Sequence, residues 1–205
     1  MEIMVESPSA LDRALSVLRS GGCVVHATET CYGLACDLSN PDAVARMFRV
    51  KKRPEGQPVS ALFPSVNEAK RYVEWNDRAE KLAEEYLPGP LTLILPRKEN
   101  IQCPIFVTPP QKLKAVSFQL SASIGVRVSS HAWAQTLVTR FGRPISTTSA
   151  NVHGEPSPYG VEEIVKQYEH CTEKPDLIVE SGPLPFRKPS RIIDCTGTSD
   201  IQRRP

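Results

Sequence analysis

An apolar run that ends in a hydroxyl-rich turn, followed by a helix that closes on three cations, limits what this chain can become more than any other feature. Cys23 to Val25 reads as a buried strand, and Thr28-Glu29-Thr30-Cys31-Tyr32-Gly33-Leu34 follows it. Gly33 is expected to let that turn bend, because glycine tolerates backbone angles other residues avoid. Asn40 suits a helix N-cap and Pro41 the first helical position. Val44, Met47 and Phe48 then share one face of the helix, which ends in Lys51-Lys52-Arg53-Pro54. Pro54 stops the helix and restricts the backbone of Arg53. The chain thus returns cations to the tip of its first strand. Hydroxyls suit a small polar ligand, and an arginine fork with lysine point charges suits phosphates.

Strand and helix signals alternate through the rest of the chain. Residues 9–20 carry a helical apolar face stopped by Gly21-Gly22, and 59–63 reads as a strand. Ser65 and Glu68 have capping-box spacing, and Asn76 opens a further helix that Pro88-Gly89-Pro90 breaks. A strand is expected at 91–95, then a long loop from Pro96 to about Ser121, where periodicity is lost. Strands at 124–128 and 145–148 flank a helix marked by Trp133, Leu137 and Phe141 and ended by Gly142. A short helix at 161–168 precedes closing strands at 177–179 and 191–194. This alternation predicts one α/β domain over residues 1–205, with a twisted mixed sheet flanked by helices.

With 205 residues, a formal net charge of +2 decides nothing about nucleic acid; only a local patch could. The N-terminus lacks the basic residues and apolar run of a signal peptide, and no stretch approaches the roughly 18 apolar residues of a membrane span. Six cysteines without C-x-x-C pairing point to a reducing compartment, the cytoplasm. Neither G-x-x-x-x-G-K-[ST] nor G-x-G-x-x-G is present, so a nucleotide site would have to draw on separate elements. Lys51, Lys52 and Arg53 form the densest basic spot; they are either that site or a solvated helix end that complements the helix dipole. Arg127, between Val126 and Val128, either points outward or is buried and needs an anion, which a ligand carboxylate would supply. Ser146-Thr147-Thr148-Ser149-Ala150-Asn151 ends a strand where α/β folds place ligands, and Ser157 lies in a loop able to fold over that tip. No nucleophile elbow is present, Cys31 has no assignable partner histidine, and His26 reads as packing.

In combination, order and spacing these segments resemble the YrdC family, the L-threonylcarbamoyladenylate synthases. The carriers are Thr28-Glu29-Thr30 with Tyr32-Gly33-Leu34, the K-x-R-P motif at Lys51, Arg53 and Pro54, Leu87-Pro88-Gly89-Pro90-Leu91-Thr92, Gly125-Val126-Arg127-Val128, and Ser149-Ala150-Asn151. The length resembles the short, single-domain bacterial form. The resemblance implies a YrdC-like fold with a concave ligand-binding face and a nucleotidyltransferase reaction. L-threonine, bicarbonate and ATP give threonylcarbamoyl-AMP and pyrophosphate, and partner transferase proteins then modify the adenosine beside the anticodon of tRNA.

By matching position, Lys51 and Arg53 would be catalytic and hold the ATP phosphates, with Mg2+ carried on those phosphates and no protein metal site. Thr30, Arg127, Thr147 and Ser181 would meet threonine. Gln57, Ser123, Ser149, Asn151, Ser157 and Ser190 would complete the ATP site. His26-Ala27, Gln57 and Leu62 depart from the family pattern without removing a cation or hydroxyl of the site. Lys51 and Arg53, read as solvent-facing, are expected to be dispensable for folding. The alternative is a tRNA- or double-stranded-RNA-binding module whose nucleotide pocket is vestigial.

Overall fold

A computed structural model describes residues 1–54, 59–99 and 123–197, and the backbone of 201–204. In chain order it contains β1 (Glu2–Val5), α1 (Pro8–Arg19), β2 (Val24–Ala27), β3 (Tyr32–Ala35), α2 (Pro41–Val50), β4 (Ser60–Leu62), α3 (Val66–Ala69) and α4 (Asp77–Tyr86). Then come β5 (Leu91–Pro96), β6 (Ser123–Arg127), α5 (Ala132–Phe141), β7 (Ile145–Ser149), α6 (Val161–Tyr168), β8 (Leu177–Glu180), β9 (Arg191–Asp194) and β10 (Ile201–Arg204).

Local chemistry sets the helix starts. Ser7, Asn40, Ser65 and Asn76 each accept a hydrogen bond from a free first-turn N–H of α1, α2, α3 and α4. Glu68 completes only half of the anticipated capping box, because its carboxylate pairs with Arg71. Gly142 ends α5 in the left-handed region, at φ 81°. The anticipated loop from Pro96 to Ser121 lies, beyond Glu99, outside the described residues. Three strands escape the periodicity reading: β1, β10 and β3. Each spans only four residues, and β3 hides inside the hydroxyl-rich segment.

Gly33 does not bend the turn. The turn occupies residues 28–31, and Gly33 lies within β3, paired with His26 and Ser149. What closes the turn is Thr28, whose hydroxyl donates to Cys31 O (2.7 Å) and accepts from the N–H of Thr30 (3.2 Å).

The sheet is mixed, in the order β1-β8-β2-β3-β7-β4-β6-β5-β9-β10. The parallel pairs are β1/β8, β2/β8, β4/β6 and β5/β9, and the others are antiparallel. Strand alternation divides the side chains between two faces. Ala61, Leu93 and Val126 point into a core with residues of α3 and α4. Val25, Leu34 and Ile178 pack with Met47 of α2 and Ile164 of α6. On the opposite face Val24, Leu62 and Ile145 meet α1 and α5. Farther along that second face the strands turn polar: Ser60 faces Thr147, and Arg127 lies opposite Leu62. Gly125 permits this, since a Cβ there would stand 2.7 Å from Ser60 Oγ and 3.2 Å from its Cβ.

The end of α2 determines where its cations go. Arg53 N donates to Phe48 O (3.0 Å) and Lys52 N to Arg49 O (3.0 Å), the two bonds of a Schellman motif. Its left-handed position is held by Lys52, at φ 51°, where glycine is usual. Lys52→Gly should therefore raise stability by about 0.5–1 kcal/mol in urea unfolding, the left-handed strain outweighing glycine's entropy.

Candidate active site

The polar part of the second sheet face is the floor of a cavity of about 190 Å³. Ser60, Thr147 and Ser149 contribute hydroxyls from β4 and β7, and Thr92 from β5. The 28–31 turn brings Thr30 and Cys31 to one side. Arg53, delivered by the Schellman turn, and Arg127, at the end of β6, bring two guanidinium groups. Ser157 closes over the tip: Tyr32 N donates to Pro158 O (3.0 Å), and Ala150 N to Tyr32 O (2.9 Å). Ser190 reaches the wall through the parallel β5/β9 pair, with its hydroxyl 3.2 Å from that of Thr92. Seven of the residues singled out from the sequence thus line one cavity: Thr30, Arg53, Arg127, Thr147, Ser149, Ser157 and Ser190.

The others are placed differently. Lys51 is not solvent-facing; it is 3% exposed. Its Nζ donates to Ser149 O, to Asn151 O (2.9 Å) and to Asn151 Oδ1 (3.3 Å), so it braces the end of β7 from behind. A buried ammonium without a carboxylate partner among the described residues is tolerable because carbonyl and amide oxygens surround it. Asn151 is equally committed: its Oδ1 accepts from Ser149, and its Nδ2 donates to Val152 O (2.9 Å) and Glu155 O (2.6 Å). Both residues therefore shape the cavity wall without lining it. Ser123 opens β6 and stands outside the lining residues. Ser181 is turned away, with its hydroxyl on Glu6 Oε2 and its N–H on Tyr32 Oη (3.0 Å). Gln57 lies outside the described residues.

Arg127 is buried, at 8% exposure, and its anion is supplied by the protein. Nη2 donates to Glu29 Oε1 (2.7 Å) and to Thr30 Oγ1 (2.8 Å), and Ser129 Oγ donates to Glu29 Oε2. Glu29 and Ser129 escaped the sequence reading because 98 residues separate acid from arginine. A carboxylate inside the hydroxyl turn was the available signal. Ser60 and Thr92 were also missed, although each is a hydroxyl alternating with apolar residues in a strand.

Burial works to raise the Glu29 carboxyl, but the charge of Arg127 and the hydrogen bonds from Arg127 and Ser129 prevail and hold it below its usual range. The same burial lowers Arg53 somewhat. His26 is packing, as expected: it is fully buried, Nδ1 lies 2.9 Å from Ala27 O, and desolvation pushes its pKa down to about 4.

Desolvation, then the nearby charge of Arg53, pushes Lys51 down to about 8. Between about 8 and the unfolded value near 10.5 the unfolded chain binds the extra proton, so stability should rise with pH across that window. Urea unfolding at pH 7.5 and 9.5 checks this against Lys51→Met, which should lose that part of the rise.

Fold and lining together define an α/β domain whose cavity presents guanidinium and hydroxyl groups, with no glycine-rich phosphate loop in its sequence. The chain belongs to the Sua5/YciO/YrdC family, whose model, described as telomere recombination, matches residues 16–204. It is 33% identical over 175 residues to the threonylcarbamoyl-AMP synthase of Bos taurus, which covers 85% of this chain and 57% of that protein. The chain therefore spans little more than half the length of that relative. A threonylcarbamoyl-AMP synthase of Vibrio campbellii is 28% identical over 94% of this chain and 97% of its own length. The crystal structure of Pyrococcus abyssi Sua5 complexed with L-threonine superimposes with a TM-score of 0.83, at 28% identity, over 100% of this chain and 56% of that one. Among the described residues no helix is long and apolar enough to cross a membrane.

Proposed function

We propose that this domain is an L-threonylcarbamoyladenylate synthase, a nucleotidyltransferase that joins L-threonine, bicarbonate and ATP into threonylcarbamoyl-AMP and releases pyrophosphate. The observation that carries the reading is the convergence of Arg53 and Arg127 on one hydroxyl-lined cavity. Arg127 holds the threonine carboxylate, with Thr30 and Thr147 beside it, and Arg53 faces the phosphates. Ser149, Ser157 and Ser190 complete the walls. Lys51 contributes through the segment it braces, by fixing Ser149 and Asn151.

The chemistry asks for positioning rather than a covalent nucleophile. Bicarbonate and the threonine amine give a carbamate and water. The carbamate oxygen attacks the α-phosphorus of ATP, and the bond to the bridging oxygen breaks as pyrophosphate leaves. Such a short-lived nucleophile must be formed close to the phosphate, and the charge gathering on pyrophosphate must be met by fixed cations. Among the described residues no cluster of three histidine, cysteine or carboxylate groups suits a metal, and Glu29 is already engaged. A Mg2+ would therefore be held by the ATP phosphates rather than by protein side chains, and would offset their charge there.

The product is an activated acyl group for transfer to an adenosine of tRNA by a partner protein, work placed in the cytoplasm. Incubating the protein with ATP, L-threonine and bicarbonate should give threonylcarbamoyl-AMP by mass spectrometry, without RNA and only when all three substrates are present. Pyrophosphate release that ignores threonine, or requires RNA, would sink the reading.

A further inference from the structure

We propose that Glu29 is a positioning residue for Arg127, holding the guanidinium in the one orientation that receives a ligand carboxylate; this rests on the reading of Arg127 given above. Among the described residues, the two hydrogen bonds that hold the guanidinium both leave from Nη2, to Glu29 Oε1 (2.7 Å) and Thr30 Oγ1 (2.8 Å). Among the described residues Nε is buried with no partner. An arginine tethered through one nitrogen would swing about that tether unless its anchor were itself rigid. Glu29 is rigid. It sits in the turn closed by Thr28, its side chain is 6% exposed, and its other oxygen accepts from Ser129 Oγ. Ser129 Oγ is held in turn, accepting from the N–H of His131 just ahead of α5 (3.1 Å). The anchor therefore runs from a tight turn through a carboxylate to a helix start, and the guanidinium it holds belongs to a residue that lines the cavity. Glu29 also cancels most of the charge of Arg127. Affinity for a carboxylate then depends on the orientation in which the guanidinium is held more than on net positive potential.

The test uses the full chain and measures KM for L-threonine and for ATP separately, by pyrophosphate release. Glu29→Ala should raise KM for threonine about 10- to 100-fold and leave KM for ATP within about twofold. Glu29→Gln keeps an oxygen for Nη2 and should recover most of that loss, which a simple charge role would not allow. Ser129→Ala should raise the threonine KM about three- to fivefold through the loosened anchor. If Glu29→Ala fails to fold, the glutamine and Ser129→Ala variants decide the matter by the same split. Equal rises in both KM values, or a glutamine variant no better than alanine, would overturn the proposal. Should the wild type form no threonylcarbamoyl-AMP, calorimetry with L-threonine alone separates the two ideas. Binding by wild type but not by Glu29→Ala sustains the positioning role while the reaction falls, and no binding by wild type ends both.

Discussion

Arg53→Ala is expected to lower kcat/KM for ATP by about 100-fold or more, with a melting temperature close to that of wild type. Arg53 is half-buried at the cavity wall. Its backbone N–H makes the Schellman bond to Phe48 O, which alanine retains, so the turn survives the loss of the side chain. What disappears is the cation that, in the proposed reaction, meets the leaving pyrophosphate, and removing a preorganised group of that kind commonly costs two to three orders of magnitude. Arg53→Lys should fall between, since it keeps the charge without the fork. Steady-state pyrophosphate release over a range of ATP concentrations checks this, and a wild-type value for the alanine variant would exclude Arg53 from the site.

Lys51→Ala should behave in the opposite manner, losing stability first. The carbonyl oxygens of Ser149 and Asn151 would lose the Lys51 donor inside the protein, while Asn151 Oδ1 keeps the Ser149 hydroxyl, at a cost of about 2–4 kcal/mol. For a chain of this size that is a fall of very roughly 5–15 °C in melting temperature. Activity should fall as well, because Ser149 and the 151–155 segment would drift, yet high ATP should not restore it. Calorimetric melting of the variant is the decisive measurement, and an unchanged melting temperature would mean that the buried ammonium is not a structural brace. The contrast between neighbours is the point: two cations separated by one residue are sent to opposite duties by the left-handed turn at Lys52.

Much of this was legible in the residues alone. Helix starts were readable because capping is local: Asn40, Ser65 and Asn76 each act within three residues. So were the hydroxyl-rich strand tips and the K-x-R-P cations, which identify themselves by type and spacing. The direction of each side chain was not. Lys51 and Arg53 look alike as letters in one basic run, and only the backbone geometry of the helix end buries one and opens the other. Arg127 posed a question that the strand pattern left open, and its answer, Glu29, lies in another element. Ser181 matched by position but is claimed by Glu6, a partner that exists only because β1 pairs beside β8.

The parallel pairing of β5 with β9 has one further consequence. Thr92 and Ser190 meet across 98 residues, and Thr30 and Ile192 stand on walls of the same chamber. The chamber is therefore complete only once the strand from the far end of the sequence has docked. Long-range pairing of that kind slows assembly, and a ligand present in excess would draw the last step forward by mass action. Threonine and ATP, if the proposed reaction holds, should then secure the docked strand and raise the melting temperature of the chain.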